Sequence, residues 1–393
     1  MNVLAYADDT LITCRGISYE DAARKVTIGT SLMVERIHQL GLEVSLPKTE
    51  ALLFHGPRRG PPHNAHSRVY GEVVAVKAQM KYLGLILDGR WQFKAHFASL
   101  ALRLMSTAAA LSRLLPNVGE PNATCRLLYS RVLRSMGLYG APIWVDAFSA
   151  ENRALLCRPQ RAISLRAVRG YRTVSFTAAT TLAADPPWHL QAHILAEVHR
   201  YRAGRRAAAE FPEEEEVRNI RALAQVETLR RWRVELGGAE YGLTTVEAIL
   251  PHLERWVERR QGTLAFHMVQ ILTDHGCFGK YLHHIGSEES PMCHECGAQV
   301  DTARHTLEEC PAWGFQQTTL QAILGADLSL PSVVNAMLDS EEAWKAMVSF
   351  SDQIMSQKEA AERARENDPD AHPLRRRRAG GRARRYAHLL HPP

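Results

Sequence analysis

At 393 residues, 46% of them hydrophobic and 23% charged, the chain has the composition of a globular protein with room for two or three domains. A net charge of +6 is compatible with a polyanionic partner without demanding one. Seven cysteines in a chain this long exclude a small disulfide scaffold and point to a reducing, intracellular compartment. The first residues lack a signal peptide's basic and apolar regions, and no apolar run reaches the roughly eighteen residues of a membrane span.

The chain opens on two short apolar runs, Val3-Leu4-Ala5 and Leu11-Ile12, that flank Tyr6-Ala7-Asp8-Asp9. This pattern predicts a hairpin with the acidic pair at its turn. Two readings stand side by side: an aspartate-rich surface turn, or a platform presenting two carboxylates to divalent metal. Magnesium suits the second because it takes one or two protein carboxylates and completes its shell with phosphate and water. Residues 19–40 carry Ala22, Val26, Ile28, Leu32, Ile37 and Leu40 at helical spacing, and Gly41 fits the stop. Residues 42–54 read as extended chain broken at Pro47-Lys48, 56–66 as a loop, and 69–76 and 82–87 as one strand each. The first ninety residues are mixed α/β.

Beyond Trp91 the pattern turns helical. Helices are expected over 93–115, 125–136, 151–168, 189–209 and 217–236, with more helix at 245–275 and a charged helix at 340–366. Pro116, Pro121, Gly140-Ala141-Pro142 and Asp185-Pro186-Pro187 punctuate them. Arg200, Arg202, Arg205, Arg206, Arg230, Arg231 and Arg233 form charged faces, solvated by default, that also suit a polyanion groove. Between 286 and 315 the chain is short-period and polar, and it holds Cys293-x2-Cys296-x8-His305-x4-Cys310. Three thiolates and an imidazole are the donor set of a closed, structural zinc site, as against a chance cluster of reduced cysteines. Gly297 helps the tight Cys-x-x-Cys turn, and Asp301-Thr302 is placed to cap a short helix before His305. Cys277 and His294 are competing ligands, the latter pointing away from the turn. Trp313 and Phe315 either stack on unpaired bases or pack against the knuckle, and packing is the expectation. Arg375–Arg378 with Arg382, Arg384 and Arg385 make a basic tail, expected to be disordered, that attracts phosphates, acts as a nuclear-localisation patch or simply solubilises.

Tyr6-Ala7-Asp8-Asp9 resembles motif C of reverse transcriptases. Gly41-Leu42-Glu43-Val44-Ser45-Leu46-Pro47-Lys48-Thr49-Glu50 resembles the motif D region of LINE-type enzymes, and Tyr82-Leu83-Gly84-Leu85-Ile86-Leu87-Asp88 resembles motif E, the primer-grip hairpin. The three occur in the family's order. Tyr139-Gly140-Ala141-Pro142-Ile143-Trp144 and Arg169-Gly170-Tyr171-Arg172-Thr173-Val174-Ser175 are similar to stretches that follow the palm, and the Asp-Thr-x-x-His and Glu-Cys-Pro of the cysteine cluster match the same elements. To about residue 315, the chain resembles the downstream part of a non-LTR (LINE-type) retrotransposon reverse transcriptase.

The resemblance implies an α+β fold: a partial palm at 1–90, a helical thumb at 91–210, a helical connector at 211–285, a CCHC zinc knuckle at 286–315, helices at 316–366 and the tail at 367–393. It implies an RNA-directed DNA polymerase in which Asp8 and Asp9 bind magnesium in a two-metal site. Lys48 would neutralise or protonate departing pyrophosphate, and Tyr82, Leu83 and Gly84 would hold the primer strand. A solvated loop lysine and an ordinary buried hairpin are the plainer readings of these last residues. The implied partners are an RNA template and a DNA primer or target, with no membrane, and the implied place is the nucleus. Oligomeric state is left open. Fingers and a motif A aspartate belong ahead of Tyr6 in the family, and only five residues stand there. The chain is therefore expected to be truncated and, alone, unable to extend a primer. The alternatives are a zinc-dependent nucleic-acid-binding module and a degenerate retrotransposon relic.

Overall fold

The computed structural model describes residues 1–56, 60–117, 119 and 121–369; the basic tail expected at 375–385 lies outside them. The chain divides into two compact units, Met1–Ser99 with Asp146–Asn152, and Leu100–Val145 with Arg153–Pro393. Small sheets and one helix make the first unit, and helices make the second, an α+β composition.

In the first unit β1 (Asn2–Tyr6) and β2 (Asp9–Thr13) pair antiparallel, with Tyr6 opposite Asp9. Helix α1 (Tyr19–Gln39) begins at Ser18, whose hydroxyl accepts the Asp21 N–H, and ends at Leu40 before Gly41. A three-stranded sheet follows in the order β3 (Ala51–Leu52), β5 (Glu72–Lys77), β4 (His66–Val69), with β3 parallel to β5. The Tyr19 hydroxyl fastens α1 to β4, donating to the His66 carbonyl and accepting from its N–H, each at 2.6 Å. The hairpin of β6 (Gln79–Tyr82) and β7 (Leu85–Asp88) completes the strands.

Two expected strands are corrected here. Residues 69–76 do not form one strand: the chain reverses at Tyr70-Gly71, both at positive φ, so Val69 pairs with Glu72. Residues 82–87 likewise fold back at Leu83-Gly84, which overturns the single strand but agrees with the hairpin that the motif E resemblance implied. Apolar runs such as Val73-Val74 show β-propensity but do not show where a two-residue turn cuts them. After β7, the Asp88 carboxylate accepts the N–H groups of Arg90 (3.0 Å), Gln92 (3.0 Å) and Phe93 (2.6 Å), which starts α2 (Lys94–Ser112). Phe54, Trp91, Phe93, His96, Phe97 and Phe148 meet edge to face in one aromatic row.

The second unit runs through α3 (Ala123–Gly137), α4 (Ala141–Trp144), α5 (Ala150–Ala167), α6 (Phe176–Leu182), α7 (Trp188–Ala207), α8 (Glu214–Gly237), α9 (Leu243–Ile249), α10 (Leu253–Glu258), α11 (Phe266–Thr273) and α12 (Gly279–His284). After the cysteine cluster come α13 (Gly314–Leu324), α14 (Leu330–Asp339) and α15 (Glu341–Asn367). The Asp185-Pro186-Pro187 corner is built, not merely punctuated: buried Asp185 accepts from Gln160 (3.1 Å), Trp188 Nε1 (3.2 Å) and Gln191 (2.9 Å).

Helix α15 organises the C-terminal half. Ser340 caps it, accepting the N–H groups of Glu342 and Ala343. Trp344, Met347, Phe350, Ser351, Ile354, Met355, Lys358 and Glu362 are buried along one stripe at helical spacing, against a core that includes Trp256, Met268, Ile271, Phe278, Val333 and Met337. At its rim His267 sits between two α15 carboxylates, 2.7 Å from Asp352 and 3.5 Å from Glu359, while Gln270 donates to Glu359. The Glu359 hydrogen bond, followed by that of Asp352, raises the His267 pKa above the ordinary imidazole value against the effect of burial. Stability from this contact is therefore complete below the ordinary imidazole pKa and is lost as pH rises through the raised value. In thermal unfolding across neutral pH, the wild-type protein should lose more of its Tm on alkalinisation than His267→Gln does. Parallel profiles for the two proteins would contradict the linkage.

Candidate metal centres and the relatives of the chain

Asp8 and Asp9 lie at the tip of the β1–β2 hairpin. Ala7, at φ 51°, and Asp8 form the two-residue loop, and Asp9 opens β2. Both carboxylates are exposed, as is Tyr6 at 67%. Among the described residues neither aspartate is held in an ion pair. Free, hydrated oxygen ligands suit magnesium, and two carboxylates are as many as the ion commonly takes from protein. No third carboxylate joins them: among the described residues, only the cysteine cluster groups three or more metal-binding side chains.

Lys48 ends a short 3-10 turn, Leu46–Lys48, and is exposed. Tyr82 ends β6 opposite Leu85, and Leu83 and Gly84, at φ 44° and φ 82°, form the turn to β7. A leucine in the left-handed region costs on the order of 1 kcal/mol, so this loop stores strain. Leu83 is half-buried, as a packing residue would be.

The second candidate is Cys293, Cys296, His305 and Cys310, whose ligand atoms all lie within 4.8 Å of one another. The local sequence explains the convergence. Cys293 and Ala298 are joined by an N–H···O bond of 2.8 Å, and Gly297, at φ 79°, donates to the Cys293 carbonyl at 2.8 Å. That reverses the chain in one tight turn. Thr302 caps the following segment by accepting the His305 N–H at 3.0 Å. His305–Glu309 forms a π-helical turn, closed by the Cys310 N–H on the His305 carbonyl at 2.7 Å, which swings the Cys310 thiol beside the imidazole.

The donor set fits zinc. A tetrahedron with Zn–S of about 2.3 Å and Zn–N of about 2.0 Å separates two sulfurs by about 3.8 Å and sulfur from nitrogen by about 3.5 Å. Here Cys293 and Cys310 sulfurs are 4.0 Å apart, and Cys296 Sγ is 3.3 Å from His305 Nε2. His305 Nδ1 faces Glu309 at 3.6 Å, leaving Nε2 for the metal. Burial pushes the Cys310 thiol up to about 12. Burial also works upward on Cys296, but the Ala298 backbone, His305 and the other two thiols bring it down to about 7. Cys277 stands outside the cluster, its thiol pushed up to about 12 by burial, and His294 turns away to Glu288 at 3.1 Å. Trp313 packs into the core, whereas Phe315 stands 83% exposed.

Sequence reasoning missed what anchors this cluster. Asp301 is buried and accepts Lys358 Nζ of α15 at 2.8 and 3.0 Å, the Gly279 N–H at 2.9 Å and the Thr306 hydroxyl at 3.2 Å. Asp301 was visible only as a cap candidate, and 57 residues separate it from its partner. The basic faces of α7 and α8 are largely met from within. Arg200 pairs with Glu197, Arg202 with Glu214, Arg205 with Glu210, Arg230 and Arg231 with Glu227, and Arg233 with Glu254.

No protein-family model matches the chain, and no solved structure matches it. Among curated proteins, it is 27% identical over 327 residues to the retrovirus-related Pol polyprotein from type-1 retrotransposable element R1 of Bradysia coprophila, covering 79% of this chain and 32% of that protein. It is 26% identical over 377 residues to the putative 115 kDa protein in type-1 retrotransposable element R1DM of Drosophila melanogaster, covering 91% of this chain and 35% of that protein. The chain is a homologue of R1 non-LTR retrotransposon Pol polyproteins. A shorter match, 29% identical over 142 residues, is to the probable RNA-directed DNA polymerase from transposon X-element of Drosophila melanogaster, covering 35% of this chain and 15% of that protein. The chain spans about a third of the length of the two R1 proteins.

Two outcomes check the cluster in this R1 relative. The purified protein should carry one zinc per chain, lost in Cys293→Ser/Cys296→Ser together with a fall in thermal stability; a metal-free protein of unchanged Tm would refute the site. Lys358→Met should cost about 3–5 kcal/mol in denaturant unfolding, because it strands a buried carboxylate. A cost near zero would show that Lys358 does not hold Asp301.

Proposed function

We propose that the chain is a segment of the reverse transcriptase of an R1-type non-LTR retrotransposon, an RNA-directed DNA polymerase working on an RNA template and a DNA primer. The hairpin tip carries this reading: two adjacent, exposed carboxylates behind an aromatic residue, in a chain whose relatives are retrotransposon polyproteins. In it, residues 1–90 belong to the palm, 91–210 to the thumb, 211–285 to a connector and 286–315 to a zinc knuckle.

Asp8 and Asp9 would hold magnesium, which when bound neutralises and positions the triphosphate. Lys48 would deliver a proton to the departing pyrophosphate. Tyr82, Leu83 and Gly84 would hold the primer strand, the strained Leu83-Gly84 turn fixing their position. Zinc at Cys293, Cys296, His305 and Cys310 would be structural, and the exposed Phe315 beside it is placed for a base. No helix among the described residues is long and apolar enough to cross a membrane. We place the protein's work in the nucleus, where target DNA lies.

A second reading, a zinc-dependent nucleic-acid-binding module, is favoured by one observation: no third carboxylate joins Asp8 and Asp9 among the described residues. The two separate experimentally. Joined to the part of the R1DM protein that its match leaves uncovered, the chain should extend a DNA primer on RNA with magnesium. Asp8→Asn should lower the rate by about two orders of magnitude or more. The chain by itself should give no extension. Activity untouched by Asp8→Asn would refute the polymerase assignment, and salt-dependent RNA binding without extension by the fusion would leave the binding module.

A further inference from the structure

Helix α10 ends at Glu258, and the chain leaves it through Arg259, Arg260, Gln261, Gly262 and Thr263. This strap is pinned over α15. Trp344 Nε1 donates to the Thr263 carbonyl at 3.1 Å, and Gly262, at φ 85°, lies so close that a Cβ there would sit 2.3 Å from the Trp344 ring. The Arg259 guanidinium packs 4.0 Å from the centre of the Trp256 ring and 5.8 Å from that of Trp344, and the two indoles are stacked at 5.8 Å. It donates to the Trp256 carbonyl and, at 3.5 Å, to that of Leu182.

No carboxylate balances it. Among the described residues, Arg259 and Arg260 make no ion pair, whereas the α7 and α8 arginines named above are matched by glutamates. Burial alone lowers the Arg259 pKa to about 10, the mark of a cation short of a counter-charge. Its exposed edge opens on a cavity of about 210 Å³ whose walls are Arg255, Glu258, Arg259, Arg260, Gln261 and Leu338. Arg255 is fixed by Asn335 at 2.8 Å and Asp339 at 2.5 Å. Glu258, the acidic residue of the wall, is exposed and free to turn to solvent.

We infer that this cavity is an anion site that takes a phosphate group, with Arg259 as its rigid guanidinium and Arg260 as a mobile one. Part of the desolvation cost of Arg259 is already met by packing on two indoles, so an entering anion recovers it. The planar fork of arginine favours a phosphate that can accept two parallel N–H bonds. The source is a nucleic-acid backbone if the polymerase-segment reading holds. The anion site itself does not depend on that reading.

Because Trp256 and Trp344 border Arg259, tryptophan emission should report occupancy. Two probes are titrated into the full chain at low and matched ionic strength: inorganic pyrophosphate, and an abasic deoxyribose-phosphate decamer. Saturable quenching is expected with the decamer at the lower concentration. It should weaken about tenfold or more in Arg259→Met and in the exposed Arg260→Met, and less in Arg259→Lys, with Arg24→Met, an exposed arginine paired with Asp21, unchanged. Saturation by pyrophosphate alone would keep the anion site and overturn the strand as its source. No saturable response to either probe, or equal weakening in Arg24→Met, would overturn the site. Arg260→Met keeps the test decisive if Arg259→Met does not fold. Primer extension by the fusion, with and without Asp8→Asn and measured in parallel, reports on the polymerase-segment reading separately.

Discussion

The second unit depends on one buried ion pair, Asp301 with Lys358. Two charges removed from water are expensive unless each finds further partners, and here they do. Asp301 also accepts a backbone N–H and a hydroxyl, and Lys358 lies 5.4 Å from the centre of the Phe278 ring. The pair joins the buried stripe of α15 to the loop that carries the cysteines, whose Ala303 and Leu307 share the same core.

The cluster is therefore braced from two sides. Three thiols and an imidazole close it within, and the carboxylate between the second and third ligands ties it to α15 from without. Zinc knuckles isolated in short chains take their folding free energy from the metal. Here part of that task passes to a helix whose own stability comes from Trp344, Met347, Phe350 and Ile354 in the core. A metal held by the cluster would therefore bind in linkage with the docking of α15.

Some of this was legible in the sequence. Tyr6-Ala7-Asp8-Asp9 could be placed on a hairpin tip because a two-residue turn between short apolar runs is a local signal. Cys293, Cys296, His305 and Cys310 could be picked out because their types and spacing are those of a metal-binding set, and the structure brings their ligand atoms within 4.8 Å of one another while His294 faces Glu288. The helix starting at residue 19 and the one ending near 366 were readable from periodicity and caps. The turn at Tyr70-Gly71 was not, since a tyrosine at positive φ is not announced by composition, whereas a hairpin at Leu83-Gly84 was implied by the motif E resemblance though not by the apolar run itself. Helices α13 and α14 fall where helices were expected at 316–366, but their separate bounds were not readable. The Asp301–Lys358 pair and the stacking of Trp256, Arg259 and Trp344 join residues far apart in sequence, and no pattern in a single chain displays such a contact.

The most direct test of this coupling is hydrogen exchange of backbone amides before and after zinc is stripped with a chelator. If the ion pair joins the two elements, protection should fall together in 293–310, in Gly279–His284 and in the second half of α15 around Lys358, while α7 and α8 keep theirs. Loss confined to 293–310, with α15 unchanged, would contradict the account.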